Sequence, residues 1–353
     1  MLRRIFAAGL IALGLPMATP AAAEEITATV VAGHPPVFRW VRMISEAFIP
    51  AVQAELEGTE HSISFSEQYG GAVAGVGEEL ETVGIGLAEL GTIQALFDPA
   101  KLAVQNVTYY TPFVSSDSDM INAIMHRLHQ EDPRMQAAYT AENIVYLGGA
   151  IEIDDYLLMT KFPVNSLADL DGQKIAAPGA AINWLSGTGA VGVNGNLTTY
   201  YNELQTGVYD GVIVFASAAL PGKLYEVAPY VTRMGLGAQF AGSLGANKDW
   251  YDGLPAEVQA ALIAGADAAD EWYSAELNAA VAASFEQMAA QGATITDASA
   301  EMRATWAEGM DNAAKTWAAD LDARGIPGTE VLSLYMETAR SMGAEPLRNW
   351  DQE

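Results

Sequence analysis

Histidine is the residue type here that most often acts in acid–base or metal chemistry, and the chain has four: His34, His61, His126 and His129. Only His126 and His129 are near each other, and their i, i+3 spacing lies on a polar helical segment. No acidic residue stands at a matching position to complete a ligand set. We therefore interpret this pair as part of a solvated helix face, and the sequence predicts no metal site.

Adjacent acids occur at Glu78-Glu79 and at Asp154-Asp155. Side chains one residue apart diverge, so each pair predicts a charged surface rather than an acid and base acting together. No strand–G-x-S-x-G–helix element is present to carry a nucleophilic serine. The run 187–192 has G-x-G-x-x-G spacing, but it follows a helix and leads into a strand, the reverse of a dinucleotide-binding element. These patterns predict a protein that is not an enzyme and holds no cofactor.

Composition narrows the class of protein further. The chain has 353 residues, of which 50% are hydrophobic and 17% charged, enough for two domains with their own cores. It has no cysteine, so disulfides and cysteine-based zinc sites are excluded. A formal net charge of −27 leaves no basic face for nucleic acid and disfavours anionic membrane surfaces.

The N-terminus has the pattern of a secretory signal peptide. Arg3 and Arg4 precede an apolar run over 5–15, and the small residues 21–23 follow. This run is too short to span a bilayer, and no other apolar run of ~18 residues occurs. We therefore expect residues 1–23 to be a signal peptide cleaved near Ala23, and the mature protein to be periplasmic and not membrane-spanning.

Strand-like and helix-like segments alternate along the rest of the chain, which predicts an α/β fold with parallel pairing where helices intervene. The segment 37–56 has helical spacing with a kink expected at Pro50. Gly86 and Gly207 each end a helix, and an acid and a second glycine then lead into a buried strand. Each of these two glycines predicts a left-handed helix cap. The repeat predicts two lobes of similar design.

A long helical pattern runs from Pro255 to Gly292. Proline is tolerated in the first turn of a helix, and glycine commonly follows the last. At ~1.5 Å per residue this helix would be ~55 Å long and should cross both lobes. Two more helical segments follow, over 299–323 and 328–343.

Several segments resemble the solute-binding proteins of TRAP transporters, the tripartite ATP-independent periplasmic systems. The resemblance covers essentially the whole mature chain, and its most specific parts are L-Q-T-G-V-Y-D-G (204–211) and N-K-D-W…L-P-A-E-V-Q (247–259). Further matching segments are "LAELGTIQALF", "NVTYYTPF", "LADLDGQKIAAPG" and "LYEVAPYVT".

The resemblance implies the two-lobed α/β fold of periplasmic solute-binding proteins, with a long helix crossing both lobes. A small organic solute would be enclosed between the lobes and passed to a TRAP membrane permease driven by a sodium gradient. We expect lobe one over 24–150 with a return segment at about 238–254, lobe two over 151–237, the long helix over 255–292 and a C-terminal helical segment over 293–353.

This sequence departs from the family pattern at the ligand carboxylate. Most members carry an arginine in a "DLKGLKIRVPG"-like segment, where its guanidinium binds the carboxylate through two hydrogen bonds. Here the segment reads "DLDGQKIAAPG", with Ala176 at that position. In some members a second arginine stands at a position that corresponds to about Tyr156 here. Many members also have a polar residue shortly after the D-G dipeptide (210–211), whereas residues 212–215 of this chain are apolar. The usual anion clamp is therefore absent.

The predicted ligand-binding residues come from strand ends and helix starts that should face the cleft. They are His34, Phe38, Tyr69 and Gln94 in lobe one, and Tyr156, Ala176, Gly179, Asn183, Trp184, Leu197, Thr198 and Phe215 in lobe two.

Three classes of solute compete for such a site. We favour a small monocarboxylate with an apolar or aromatic body, its carboxylate on helix N-termini and hydroxyl groups, with Arg39 adding charge if it turns inward. A cation or zwitterion could instead be held by aromatic faces and Asp154 or Asp155, and a neutral polyol or lactone is the third class. A periplasmic enzyme or a sensory protein on the same scaffold is the alternative to transport.

Overall fold

The computed structural model describes residues 24–353, so the predicted signal peptide lies outside the described residues. The strands are β1 Glu24–Ala32, β2 His61–Tyr69, β3 Leu90–Ile93, β4 Ile144–Ile153, β5 Tyr156–Thr160, β6 Lys174–Ala177, β7 Val191–Asn194, β8 Gly211–Phe215, β9 Tyr230–Arg233, β10 Gln239–Asn247 and β11 Thr294–Asp297.

The α-helices are α1 Arg39–Met43, α2 Ile49–Glu55, α3 Glu79–Gly84, α4 Val107–Tyr110, α5 Ser118–Glu131, α6 Pro133–Ala141, α7 Tyr200–Thr206, α8 Ala216–Ala219, α9 Lys248–Asp252, α10 Ala256–Ala290, α11 Ala300–Gly309, α12 Ala313–Ala323 and α13 Gly328–Ser341. A π-helical segment covers Ile44–Phe48, and 3₁₀ turns cover Ala95–Phe97, Val104–Asn106, Leu167–Leu170, Gly179–Leu185 and Leu224–Glu226.

The strands form two sheets, and each sheet is the centre of one lobe. Lobe one is the sheet β2-β1-β3-β10-β4 with α1–α6 and α9, and lobe two is the sheet β11-β9-β5-β8-β6-β7 with α7 and α8. β1 is parallel to β2 and β3, and β6 is parallel to β7 and β8. The predicted two-lobed α/β fold, with parallel pairing where helices intervene, is confirmed.

The predicted long helix is α10, with 35 residues, and it contacts both lobes. It packs on β4 of lobe one and on α8 and β11 of lobe two. On the lobe-one side, the Asp270 carboxylate accepts the backbone N–H groups of Gly149 and Ala150. The Tyr273 hydroxyl donates to the carbonyl of Glu152 at 2.6 Å. The helix therefore braces the connection between the lobes.

Local predictions hold at the helix ends and at Pro50. Gly86 and Gly207 both have positive φ, at 76° and 82°, as expected for left-handed caps. The helix predicted over 37–56 is interrupted by the π-helical segment just before Pro50. A proline inside a helix lacks its N–H and its ring crowds the carbonyl four residues earlier, so the widened turn accommodates it.

Three expectations about exposed polar groups are wrong. His129 is buried in α5, donates through Nδ1 to the Met125 carbonyl at 2.8 Å and stacks on Tyr146. Burial lowers the pKa of His129 to about 4. Glu79 and Asp154 are also buried, and each accepts backbone N–H groups rather than facing water. One face of each segment packs on a sheet, and the short sequence pattern did not identify that face.

The C-terminal segment contains more breaks than predicted. β11 precedes the helices and pairs in parallel with β9, and the helix predicted over 299–323 is divided into α11 and α12 at Met310, whose backbone is extended. None of the described helices combines the length and the apolar character needed to cross a membrane.

Candidate functional site

A partly open cavity of about 30 Å³ lies between the lobes, and its wall is mostly apolar. Clefts between domains are favoured positions for ligand sites. We call this space the inner cavity. Lobe one contributes His34, Trp40, Gln94, Leu96, Phe97, Ile151, Ile153 and Ala241, and lobe two contributes Tyr156, Pro178, Asn196, Leu197, Tyr200, Ile213, Val214 and Phe215.

Five of the predicted ligand-binding residues line the inner cavity, and they come from both lobes. His34 and Gln94 follow β1 and β3, Tyr156 and Phe215 stand at paired ends of β5 and β8, and Leu197 precedes α7. Strand ends on either side of the cleft therefore supply most of them.

Four other predicted residues surround the site without lining the inner cavity. Phe38 lies behind it and stacks on Trp40 with ring centroids 4.7 Å apart. Tyr69 is half-buried at the end of β2, and Ala176 is buried in the core of lobe two. Gly179 lines a neighbouring groove beside Leu96.

Asn183 and Thr198 face elsewhere. Asn183 donates its side-chain amide to the Ala180 carbonyl at 2.9 Å and lines a separate crevice against α12. Thr198 is exposed, and its hydroxyl donates to the Asn196 side chain at 2.6 Å. Neither residue contributes to the wall of the inner cavity.

Trp184 is fully buried and does not line the inner cavity. Its indole Nε1 donates to the carbonyl of Tyr109 at 2.7 Å, and the two rings are stacked. The Trp184 carbonyl in turn accepts Trp306 Nε1 at 2.6 Å. Tyr109 lies in α4 of lobe one, so Trp184 connects lobe two to lobe one and to α11.

Sequence reasoning did not include two prominent wall residues, Trp40 and Tyr200. Both lie in the first turn of a helix that follows a predicted site residue, Phe38 and Thr198 respectively. An aromatic residue two positions beyond a predicted site residue, in the first turn of the following helix, was the available signal. The face that such a helix turns to the cleft depends on tertiary packing.

Two N–H groups on wall residues have no acceptor within residues 24–353. Gln94 Nε2 lies 3.1 Å from His34 Nδ1, and burial lowers the pKa of His34 to about 3. The ring is therefore neutral at pH 7, and since Nδ1 accepts from Gln94, the proton is on Nε2. His34 Nε2 and Trp40 Nε1 are both buried and lack any hydrogen-bond partner among the described residues. Buried donors of this kind are rare without a partner.

Aromatic rings form the remainder of this wall. The His34 and Trp40 rings meet edge to face with centroids 5.3 Å apart, and Trp40 lies 6.0 Å from Phe215. Tyr156 packs edge-on against Phe215 at 5.2 Å, while its hydroxyl pairs with that of Tyr109 at 3.1 Å. These rings provide a surface for an apolar or aromatic group.

No lysine or arginine of the part of the chain that the structure describes lines the inner cavity. At the position of the family arginine, Ala176 lies within the same core cluster as Tyr200. A Cβ placed on Gly195 would lie 2.8 Å from a ring carbon of Tyr200 and 3.3 Å from the Ala176 Cβ, so these three residues are in direct proximity. The tyrosine ring occupies space beside the alanine.

Arg39 links the lobes near the inner cavity instead of lining it. Its guanidinium donates to the Ser217 carbonyl at 3.2 Å. Ser217 in turn donates its hydroxyl and its backbone N–H to the buried Asp154 carboxylate, at 2.5 Å and 3.2 Å. Ser217 therefore connects the Arg39 guanidinium of lobe one to the buried Asp154 carboxylate of lobe two.

Replacing Arg39 by alanine is expected to weaken solute binding about tenfold, because a charge-assisted hydrogen bond across the closed cleft is lost. Titration calorimetry measures the change. Arg42→Ala is the matched control, since Arg42 pairs with Glu46 and Glu276 rather than with lobe two. Equal losses in both variants would show that the Arg39–Ser217 contact has no particular role in closure.

Stability should increase as the pH is lowered from about 8 to about 5. Burial raises the pKa of Glu79 to about 7, of Glu152 to about 8, and of Asp154 and Asp270 to about 6. Each of these folded-state values lies above the unfolded one, so these four carboxyl groups bind more protons in the folded protein in this window and stabilise it with acidification. The lowered pKa values of His34 and His129 act in the opposite direction and offset part of this gain. Urea denaturation across the window measures the slope, and Glu152→Gln should flatten it. A free energy of unfolding that rises with pH would contradict this prediction.

Comparison with known proteins gives a family match. Residues 56–320 match the family model DctP, described as bacterial extracellular solute-binding protein, family 7. No curated protein matches the sequence.

Solved structures with similar folds include several solute receptors. DctP7 of Bordetella pertussis, an extracytoplasmic solute receptor binding pyroglutamic acid, is 18% identical with a TM-score of 0.76, covering 88% of this chain and 99% of its own. A marine metagenome TRAP protein specific for pyroglutamate is 19% identical with a TM-score of 0.75, covering 89% and 99%. A Sulfitobacter sp. NAS-14.1 TRAP protein with bound β-D-galacturonate is 18% identical with a TM-score of 0.74, covering 87% and 98%. At these identities the likeness shows the fold.

Proposed function

Since this chain belongs to bacterial extracellular solute-binding protein family 7, the family of TRAP solute receptors, we propose that it binds a small monocarboxylate with an apolar or aromatic body in the inner cavity. Proteins of this family are receptors and not enzymes. In the same proposal the chain is exported to the periplasm, loses its signal peptide near Ala23 and delivers its solute to a TRAP membrane permease.

The pair of unpartnered donors carries the proposal for a carboxylate. Leaving a buried N–H without an acceptor costs about 1–3 kcal/mol, and a carboxylate between His34 Nε2 and Trp40 Nε1 would accept from both. A cation would instead face the positive ends of two N–H dipoles. Asp154, considered earlier as a partner for a cation, is already engaged by Ser217.

The rest of the wall supports an apolar body. Phe215, Tyr156 and the aliphatic side chains of both lobes have few groups with which the many hydroxyls of a polyol could pair. A lactone, which offers acceptors on an apolar ring, fits the same donors and remains the neutral alternative. Among the structurally similar receptors, three bind pyroglutamate, a small cyclic monocarboxylate.

The size of the inner cavity implies that the lobes move during binding. A volume of about 30 Å³ holds about two water molecules, far below a typical ligand pocket of about 300–1,000 Å³. The lobes must therefore separate to admit an organic solute and close around it in a wider arrangement, the hinge closure usual for two-lobed receptors. This requirement favours small solutes.

A panel of matched compounds tests the proposal. The purified chain, unfolded and refolded to remove retained solute, would be titrated with pyroglutamate, aliphatic and aromatic monocarboxylates, and the alcohols and amides of the same carbon skeletons. Acids that bind should raise the melting temperature by mass action. At a free acid concentration of 100 times Kd, the free energy of unfolding should rise by about 2.7 kcal/mol. Shifts caused only by amines, dicarboxylates or polyols would overturn the assignment of solute class.

A further inference from the structure

A second space adjoins the inner cavity at the mouth of the cleft. This outer groove has a volume of about 520 Å³, and three residues line both spaces: Leu96, Phe97 and Asn196. A solute whose one end lies in the inner cavity would reach the outer groove past these side chains. The two spaces differ in polarity, because the outer groove is also lined by Thr199 and Glu203.

Glu203 is the charged residue of the outer groove. One of its carboxylate oxygens, Oε2, accepts the Tyr209 hydroxyl at 2.5 Å. Among the described residues, no lysine or arginine pairs with Glu203, and no other donor reaches its carboxylate. The side chain is half-buried, so its free oxygen is available to a donor within the groove.

Tyr200 of the inner cavity and Glu203 of the outer groove are about one helical turn apart. Tyr200, which lines the inner cavity, and Glu203 are three residues apart in α7. Residues at this spacing share a helix face, with Cβ atoms about 5–6 Å apart. A solute that lies in both spaces would pass these neighbouring residues of α7.

Charge balance connects the two spaces. A carboxylate held by His34 and Trp40 meets two neutral donors and no lysine or arginine in the wall. Burying an anion without a countercharge is costly, and the net charge of −27 adds repulsion. A solute that carries its own positive charge on the side of Glu203 would offset both effects.

We propose that the solute is a zwitterion, with its carboxylate at the His34–Trp40 donors and an ammonium group at Glu203 in the outer groove. This proposal rests on the proposed function and narrows it from monocarboxylates to ω-amino monocarboxylates. The acid and amine of the solute are then recognised by different lobes and spaces, with Asn196 at the boundary between them.

Pentanoate and 5-aminopentanoate are the test probes, titrated calorimetrically against the wild-type chain and Glu203→Gln. We expect 5-aminopentanoate to bind wild type about tenfold more tightly than pentanoate. Glu203→Gln should remove this difference and leave the Kd of pentanoate unchanged, which also shows that the variant is folded. Glu226→Gln is the control, because Glu226 likewise accepts a tyrosine hydroxyl, from Tyr201 at 2.7 Å, but lines neither space.

The possible outcomes separate the two proposals. Equal binding of the two acids, or an unchanged preference in Glu203→Gln, would overturn the zwitterion and leave the monocarboxylate receptor intact. If neither acid binds but other monocarboxylates of the panel do, only the zwitterion fails; if no monocarboxylate binds, the zwitterion and the proposed function both fail. If Glu226→Gln lost the preference for 5-aminopentanoate over pentanoate to the same extent, the assignment to Glu203 would be overturned, because the general surface charge would then explain the preference.

Discussion

Replacing Trp184 by alanine is expected to lower the free energy of unfolding by about 3–5 kcal/mol. The ring is fully buried, and its removal leaves a cavity among Tyr109, Tyr156 and Trp306. It also leaves the Tyr109 carbonyl without the indole donor that it accepts at 2.7 Å. Both effects act on the connection between the lobes and α11, so we expect the whole fold to lose stability.

Urea denaturation measures this loss, and Trp272→Ala is its control. Trp272 is only partly buried, with the Arg42 guanidinium 5.4 Å from its ring centre, so its truncation should cost less. Solute affinity of the folded Trp184→Ala protein should change less than about tenfold, because Trp184 does not line the inner cavity. Nearly unchanged stability with a large loss of affinity would instead place the ring against the solute.

The substitution Gly179→Ala should weaken solute binding by about 10–100-fold. Gly179 has a φ of 50° and lies where lobe two meets Leu96 of lobe one. An added Cβ would overlap the Leu96 carbonyl oxygen. Because that carbonyl belongs to the backbone of the other lobe, the overlap is relieved by opening the cleft, and closure on the solute becomes less favourable.

Gly172→Ala separates this effect from backbone strain. Gly172 has a φ of 70° and belongs to the same lobe, but a Cβ there would meet no atom within 4 Å. Both variants should lose about 1 kcal/mol of stability from the left-handed conformation, whereas only Gly179→Ala should lose affinity. Similar titration curves for the two variants would argue against a tight closure at Leu96.

Much of the fold was predictable because its signals are local. Pro255 and Gly292 delimit α10 to within two residues, and Gly86 and Gly207 have the expected left-handed conformation. β11 was missed because it is a four-residue strand whose pairing with β9 is long-range. Burial of Asp154 was likewise unpredictable, since it depends on Ser217, 63 residues away.

The wall of the candidate site was predicted in part, and the reason lies in geometry. Residues at strand ends, such as His34 and Phe215, are placed at the cleft by the sheets themselves. The segment Gly179–Leu185 forms a 3₁₀ helix, with about 3 residues per turn instead of 3.6, so the directions of Asn183 and Trp184 could not be derived from an α-helical pattern. The orientation of Trp40 and Tyr200 depends on how the lobes close.

Titration of Trp40→Phe with a monocarboxylate tests the central claim most directly. Phenylalanine keeps an aromatic ring beside Phe38 and removes the indole N–H, which has no partner within the described residues, together with the rest of the five-membered ring. Affinity for the acid should fall by about 10–100-fold, because a hydrogen bond to a charged group is lost, while the unliganded protein stays folded and loses only the packing of the smaller ring. Unchanged affinity would contradict the assignment of Trp40 and His34 as the donors that bind the solute.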